Sequence, residues 1–408
     1  MTTSLNGRRD ATLDSPHAPP DLGRALEEAI EISARRGAPL TSVVAQAQAA
    51  FDGNAAPNGA APKTPVPHPS ELPIHVLDGV RQVDIMASLA PLAPAMKSVE
   101  REIERLITTP VKLVADIAGH VLGAGGKRLR PALTLLSAQM CGDDPAEPAA
   151  RAVTCAALVE LTHTTTLLHD DVVDGATMRR GKPAANLVWG NETSVLVGDY
   201  LFAQVFVTAS RRGIAELMHP LAHATAQMCA GELLETQMRG FFEMSERQYL
   251  DIVALKTGSL TECSCRMGAL AVNAPEEQVE LLGTFGRSIG VAFQIVDDVF
   301  DIVLEEEQIG KPVGNDLREG AITLPMLHAL GHSPDRDELR ALLGKEEKSD
   351  ADVLRALEIL RAGDSVSEAL CHARRYVESA KAGLDAFPDG PAKEMLCDIA
   401  DYVLARRK

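Results

Sequence analysis

Two acidic clusters of identical spacing stand far apart in this chain, Asp170-Asp171-Val172-Val173-Asp174 and Asp297-Asp298-Val299-Phe300-Asp301. Carboxylates at i and i+4 share one face of a helix. Each cluster interrupts an apolar run, Leu167-Leu168 before the first and Val291-Ala292-Phe293 with Ile295-Val296 before the second. The acids are therefore set into buried helices and do not decorate a solvated face. Anions so placed repel one another and lose hydration, and a cation held between them relieves both costs. Magnesium suits the donor set, because it takes carboxylate oxygens, keeps several waters and completes its shell with substrate phosphates. Two facing Asp-x-x-x-Asp helices predict a site for a diphosphate-bearing substrate.

Cations suited to phosphate follow the same acids. Met178-Arg179-Arg180-Gly181-Lys182-Pro183 comes just after the first cluster, where Gly and Pro end a helix and leave two guanidinium groups in the loop. Upstream, Gly125-Gly126-Lys127-Arg128-Leu129-Arg130-Pro131 sets three cations on a flexible lip before an apolar helix. It lacks the Gly-x-x-x-x-Gly-Lys-Ser/Thr spacing of a nucleotide-binding loop. Beyond the second cluster, Gly310-Lys311-Pro312-Val313-Gly314-Asn315-Asp316 forms a further Gly/Pro-rich loop carrying a lysine.

These groups need elements to hold them, and the rest of the chain reads as helix. From about residue 80 onward Ala, Leu, Val and Glu dominate, and apolar residues recur at three and four, as at Val153, Ala156, Ala157, Val159 and Leu161. Strand alternation bounded by hairpin turns is missing, so the expected fold class is all-α, a helical bundle around a central cavity. Residues 1–75 are rich in Ala, Pro, Gly, Asn and Ser and predict a disordered extension with one short helix over Asp21 to Arg36, leaving 76–408 as the catalytic domain. That N-terminus has neither a secretory apolar region nor the acid-poor character of an organellar transit peptide, and no run of eighteen apolar residues predicts a membrane span. Seven cysteines, odd in number and scattered through helical sequence, read as small buried hydrophobes of a reducing cytoplasm. A net charge of −17 over 408 residues argues against a nucleic-acid partner.

In their order and spacing, Gly-Gly-Lys-Arg-Leu-Arg-Pro, Leu-Leu-His-Asp-Asp-Val-Val-Asp, Met-Arg-Arg-Gly-Lys-Pro, Phe-Gln-Ile-Val-Asp-Asp-Val-Phe-Asp and Gly-Lys-Pro-Val-Gly-Asn-Asp resemble the signature of the trans-isoprenyl diphosphate synthases. The chain resembles in particular the long-chain bacterial branch, the octaprenyl, solanesyl and decaprenyl diphosphate synthases, and the resemblance covers residues 76–408. It implies an isoprenoid-synthase-type bundle, usually a homodimer, that adds isopentenyl diphosphate to an allylic primer such as farnesyl or geranylgeranyl diphosphate by 1'-4 condensation. It also implies about two to three magnesium ions. Asp170, Asp174 and Asp297 would hold them, with Asp301 joining that set or supporting it beside Asp171 and Asp298.

Residue by residue, Lys127, Arg130, His163 and Arg180 match the family's isopentenyl diphosphate contacts. Arg179, Lys256, Thr257, Gln294 and Lys311 match positions around the allylic diphosphate and the forming cation. The resemblance further places product length at the residues four and five before the first aspartate, Thr166 and Thr165, with Thr162 a turn below. All are small, and each turn deepens the tunnel by about 5.4 Å, so a product of roughly C40–C50 is expected, with a ubiquinone side chain as its destination. Gly175 is a departure, standing where family members often carry another acid. Class I terpene cyclases and squalene-type coupling enzymes also ionise allylic diphosphates, but they use an Asn-Ser/Thr-Glu second motif that this chain replaces with a second Asp-Asp-x-x-Asp. Non-catalytic partner subunits characteristically lose the aspartates that are intact here.

Overall fold

The computed structural model describes residues 80–146, 148–303 and 314–406. The Ala/Pro-rich extension expected over 1–75, its short helix, and Lys311 lie outside the described residues. The described chain opens with α1 (Ile85–Ser88), whose first amides, those of Met86 and Ala87, are capped by the Asp84 carboxylate. It continues through α2 (Ala93–Ile107), α3 (Lys112–Leu122), α4 (Leu129–Met140) and the long α5 (Ala150–Val173). A hairpin of two two-residue strands follows, β1 (Met178–Arg179) and β2 (Lys182–Pro183), and then α6 (Ala185–Trp189), α7 (Asn191–Arg211), α8 (Met218–Met238) and α9 (Glu246–Val253). A π-helical turn, Ala254–Gly258, joins α9 to α10 (Ser259–Ala271), which leads into α11 (Glu276–Val303). The last part holds α12 (Asn315–Glu319), α13 (Leu324–His332), α14 (Arg336–Leu343), α15 (Asp350–Ala362), α16 (Ser365–Gly383) and α17 (Pro391–Ala405).

The expected all-α fold is met, with the small hairpin as the one addition among the described residues. Its cause is local. Arg180 and Gly181 both take positive φ, 51° and 75°, the geometry of a two-residue hairpin turn that matches strand twist. In the bundle, α11 packs between α10 and α16, α10 also against α4, and α5 against α7. On α5, Cys155 to Val159 and Leu161 are completely buried, so this helix is enclosed and carries its acids at the end of a core element.

The expectation that no segment is apolar enough for a membrane span needs correction. By length and composition α7 and α11 both qualify, with an 18-residue window of mean hydropathy 1.2 in each. Burial accounts for α11, whose window is 61% buried as a core helix, whereas that of α7 is 39% buried.

Candidate active site

The first acidic cluster lies at the C-terminal end of α5. Gly175, at φ 60°, ends the helix in a Schellman motif: the Ala176 amide donates to Asp171 O at 2.9 Å and the Gly175 amide to Val172 O at 3.4 Å. Glycine takes this left-handed position without the strain a side chain would meet. Asp171 points inward, 1% exposed, and accepts from Arg179 Nε at 2.5 Å. The hairpin is thereby tied back to the helix, and Arg179 is aimed along its end.

Asp170 and Asp174 face α8 and the π-helical turn. There Lys256 Nζ is clamped between Glu232, at 2.8 Å, and Glu235. Gly231 permits this approach, since a Cβ there would meet the Lys256 amide nitrogen at 2.6 Å. Burial opposes the Lys256 charge, but the two glutamates more than offset it and keep the ammonium protonated. The aspartates are less well compensated. Burial, then Glu232, push Asp170 up to about 7, with Lys256 the chief opposing influence, and burial likewise raises Asp174. Arg239 Nη2 lies 3.8 Å from Asp174.

On α11 the two adjacent acids take different partners. Asp298, 6% exposed, accepts from Tyr249 OH at 2.5 Å and from Gln294 Nε2 at 2.9 Å. Burial dominates its titration and lifts it to about 7 against these two hydrogen bonds. Asp297 instead accepts from Arg406 Nη2 at 2.7 Å. Asp301 accepts the amides of Asn315 and Asp316 at 3.0 and 2.9 Å, so it starts α12.

Part of the expected set lines two separate cavities, whereas Asp170, Asp297, Asp301 and the three threonines line neither. One, of about 370 Å³, is bounded by Asp174, Arg179, Lys256, Gln294, Asp298 and Tyr249. The other, of about 630 Å³, is bounded by Lys127, Arg130, His163, Arg180 and Thr257, together with Tyr402 and Arg406 from the C-terminal end. The lip before α4 forms as expected, except that Arg128 takes a left-handed conformation, φ 50°, and pairs with buried Glu160, so α4 begins at Leu129 with Arg130 in its first turn. Lys127 Nζ lies 4.9 Å from the Tyr402 ring centroid, a cation–π contact. Arg180 Nη1 donates to Gly125 O. Burial, then Arg130 and Arg180, hold His163 well below its ordinary range and so neutral. Arg130 and Arg406 each retain a buried Nε without an acceptor, donors left over for an anion.

Thr162 and Thr165 are buried, and Thr166 is half-buried. The Thr165 hydroxyl donates to Leu161 O and the Thr166 hydroxyl to His163 O, so both polar groups are satisfied along α5.

Among the described residues, no group of three or more His, Cys, Asp or Glu side chains is gathered closely enough to hold a metal ion as it stands. The donor chemistry nonetheless fits a hard divalent cation. The candidate ligands are all carboxylate oxygens, and burial, with Glu232 adding to it, raises both Asp170 and Asp174, a cost that a bound cation would relieve. Glu232, Glu235, Tyr249, Arg239 and Arg406 were not singled out by spacing. The glutamates stand at i and i+3 on a mixed helix, and Arg406 opens the basic run Arg406-Arg407-Lys408, whose pattern names no partner, so only packing reveals either.

The polyprenyl synthetase family profile matches residues 111–360. The chain is 41% identical over 323 residues to a nonaprenyl diphosphate synthase of Mycobacterium tuberculosis, covering 78% of this chain and 95% of that one. In structure it resembles a polyprenyl synthase from Caulobacter crescentus complexed with calcium and isoprenyl diphosphate, with TM-score 0.76, 35% identity and coverage of 80% and 99%. A decaprenyl diphosphate synthase from Rhodobacter capsulatus is comparable, with TM-score 0.73, 35% identity and coverage of 79% and 99%. With the aspartate helices, the cationic lip and the arginine hairpin in family order around two cavities, the chain belongs to the polyprenyl synthetase family and is a prenyltransferase.

Proposed function

We propose that this enzyme is a long-chain all-trans-polyprenyl diphosphate synthase, adding isopentenyl diphosphate repeatedly to an allylic primer such as farnesyl or geranylgeranyl diphosphate. The observation that carries this reading is the division of cations between two cavities. Arg179 and Lys256 stand beside the first aspartates, while Lys127, Arg130 and Arg180 line the second cavity, where Arg130 keeps a buried Nε unpaired. A cyclase handling a single diphosphate has no use for the second set.

Asp170, Asp174, Asp297 and Asp301 would hold about two to three magnesium ions, and bound magnesium supplies neutralisation of the charge on the leaving diphosphate. Arg179 and Lys256, joined by Lys311, bind the allylic diphosphate by charge-assisted hydrogen bonds. Lys127, Arg130, Arg180 and neutral His163, which has one N–H to donate, bind isopentenyl diphosphate. Its double bond then meets the allylic carbon where Gln294 and Thr257 present oxygen dipoles that favour a developing cation. No side-chain base is assigned, and the departing diphosphate takes the proton.

Small side chains at Thr162, Thr165 and Thr166 support an open tunnel and a product of about C40–C50, each turn of α5 adding about 5.4 Å. The nonaprenyl and decaprenyl activities named for its relatives agree with that length. A cytoplasmic homodimer supplying a ubiquinone side chain is the corresponding setting. Its dimeric part is supported by the apolar strip on α6 and α7, where Leu187 and Leu196 are each 60% exposed and Val188, Phe206 and Val207 lie open beside them. The test is incubation with farnesyl diphosphate, labelled isopentenyl diphosphate and magnesium, followed by product chromatography. A product of eight to ten units, about C40–C50, is expected. Absence of any elongated product refutes the synthase reading, and a stop at one or two additions refutes the chain length alone.

A further inference from the structure

A chain of hydrogen bonds crosses the wall between the two cavities. Thr257 Oγ1, which lines the larger cavity, donates to Gln294 Oε1 at 2.8 Å. Gln294 Nε2, in the smaller cavity, donates to Asp298 Oδ1 at 2.9 Å, and Asp298 Oδ2 accepts from Tyr249 OH at 2.5 Å. Both ends of the Gln294 amide are thus assigned by their partners, its oxygen to Thr257 and its nitrogen to Asp298. The two substrates must be joined at this wall.

Tyr249 is the far end of the chain and is built to stay put. It is 4% exposed and sits one turn into α9, a helix started by a capping box in which Ser245 and Gln248 satisfy each other's backbone amides. Its hydroxyl occupies Asp298 Oδ2, which leaves Oδ1 as the acceptor for Gln294. Without the phenol, a buried carboxylate oxygen lacks a donor, and the Gln294 amide, already bound to the other oxygen of the same carboxylate, can turn toward it. Rotation of the amide toward Oδ2 would draw Gln294 Oε1 away from Thr257 and from the junction.

We propose that Tyr249 is a positioning residue for prenyl transfer: through Asp298 it locks the Gln294 amide with its carbonyl oxygen at the junction of the two substrate cavities. This rests on the two-cavity reading above. Tyr249 lines the smaller cavity and not the one that holds Lys127, Arg130 and Arg180, so its loss acts on turnover and leaves capture of isopentenyl diphosphate intact.

The test uses the full-length enzyme with farnesyl diphosphate, isopentenyl diphosphate and magnesium, measuring kcat and both KM values for wild type, Y249F, Q294L and the double variant. Y249F is expected to lower kcat at least about tenfold, the size of one hydrogen bond to a charged group, with KM for isopentenyl diphosphate unchanged. The double variant should be no slower than Q294L, because Tyr249 acts only through Gln294. Losses that multiply, or a normal kcat in Y249F, overturn the proposal. Should Y249F lose its cooperative melting transition, 4-aminophenylalanine at position 249 keeps a donor in place. Near wild-type turnover then supports the proposal, and a tenfold loss in that folded variant overturns it. An inactive wild type would instead refute the synthase reading, so the two failures are distinguishable.

Discussion

Replacing Arg179 with Leu strips the Asp171 carboxylate, 1% exposed, of the Nε donor that sits 2.5 Å away. An uncompensated buried charge costs about 3–5 kcal/mol. The lower end applies, since the Arg179 side chain is itself 24% exposed and its removal opens a path for water. The reverse change, Asp171→Asn, leaves a guanidinium that can reach solvent and an amide oxygen that still accepts its hydrogen bond, so about 1 kcal/mol is expected. R179L should therefore destabilise by about 3 kcal/mol and D171N by roughly a third of that. Urea unfolding followed by far-UV circular dichroism, with a shared slope, reads both. If D171N costs as much as R179L, or R179L costs less than 1 kcal/mol, Asp171 is not a buried charge held by Arg179, and the tethering of the hairpin to α5 falls with it.

Asp170→Ala and Asp297→Ala should each lower turnover by several orders of magnitude with the far-UV spectrum unchanged, as removing a metal ligand does; near-normal kcat in either refutes the two-helix metal site. Lys127→Ala and Arg130→Ala should raise KM for isopentenyl diphosphate by about 10- to 100-fold, the worth of one charge-assisted contact, and equal increases for the allylic primer would contradict two separate cavities. Thr165→Phe or Thr166→Phe should shorten the product while sparing the first condensation, read from product lengths with farnesyl diphosphate as primer; an unchanged product from both removes these threonines from the tunnel wall. Burial and Glu232 lift Asp170 to about 7, so between the ordinary carboxylate value of 3.8 and that point the folded chain holds a proton that the unfolded chain has released. Stability of the metal-free enzyme should fall as pH rises through that window and level off above it, and magnesium, which replaces the proton, should flatten the profile. Neutral His163 contributes the opposite trend below its ordinary value, so the comparison is with Asp170→Asn, and a metal-free wild type that does not lose stability relative to that variant from about pH 5 to 7 refutes this sign.

What could be read from the sequence was whatever depends on local pattern. The 3.6-residue recurrence of apolar positions names α5 and α11 as core helices, and the i, i+4 acids on them need no fold to declare a shared face. The lip Lys127–Arg130 and the loop Arg179–Arg180 were likewise legible, because charge and Gly/Pro punctuation are properties of a few neighbouring residues. Even there, the left-handed Arg180-Gly181 turn made a hairpin where a plain loop was expected.

Pairing was decided by the tertiary structure alone. Neighbouring acids Asp297 and Asp298 differ by about 100° around α11, and only the placement of α9 and α17 sends one to Arg406 and the other to Tyr249. The clamp on Lys256 requires α8 to press on the π-helical turn at Gly231, an approach between segments that share no local signal. Composition and spacing thus determine which residues carry charge and which helices carry them. Which charge meets which is set by long-range packing, because a side chain's partner depends on elements many residues away that no local periodicity encodes.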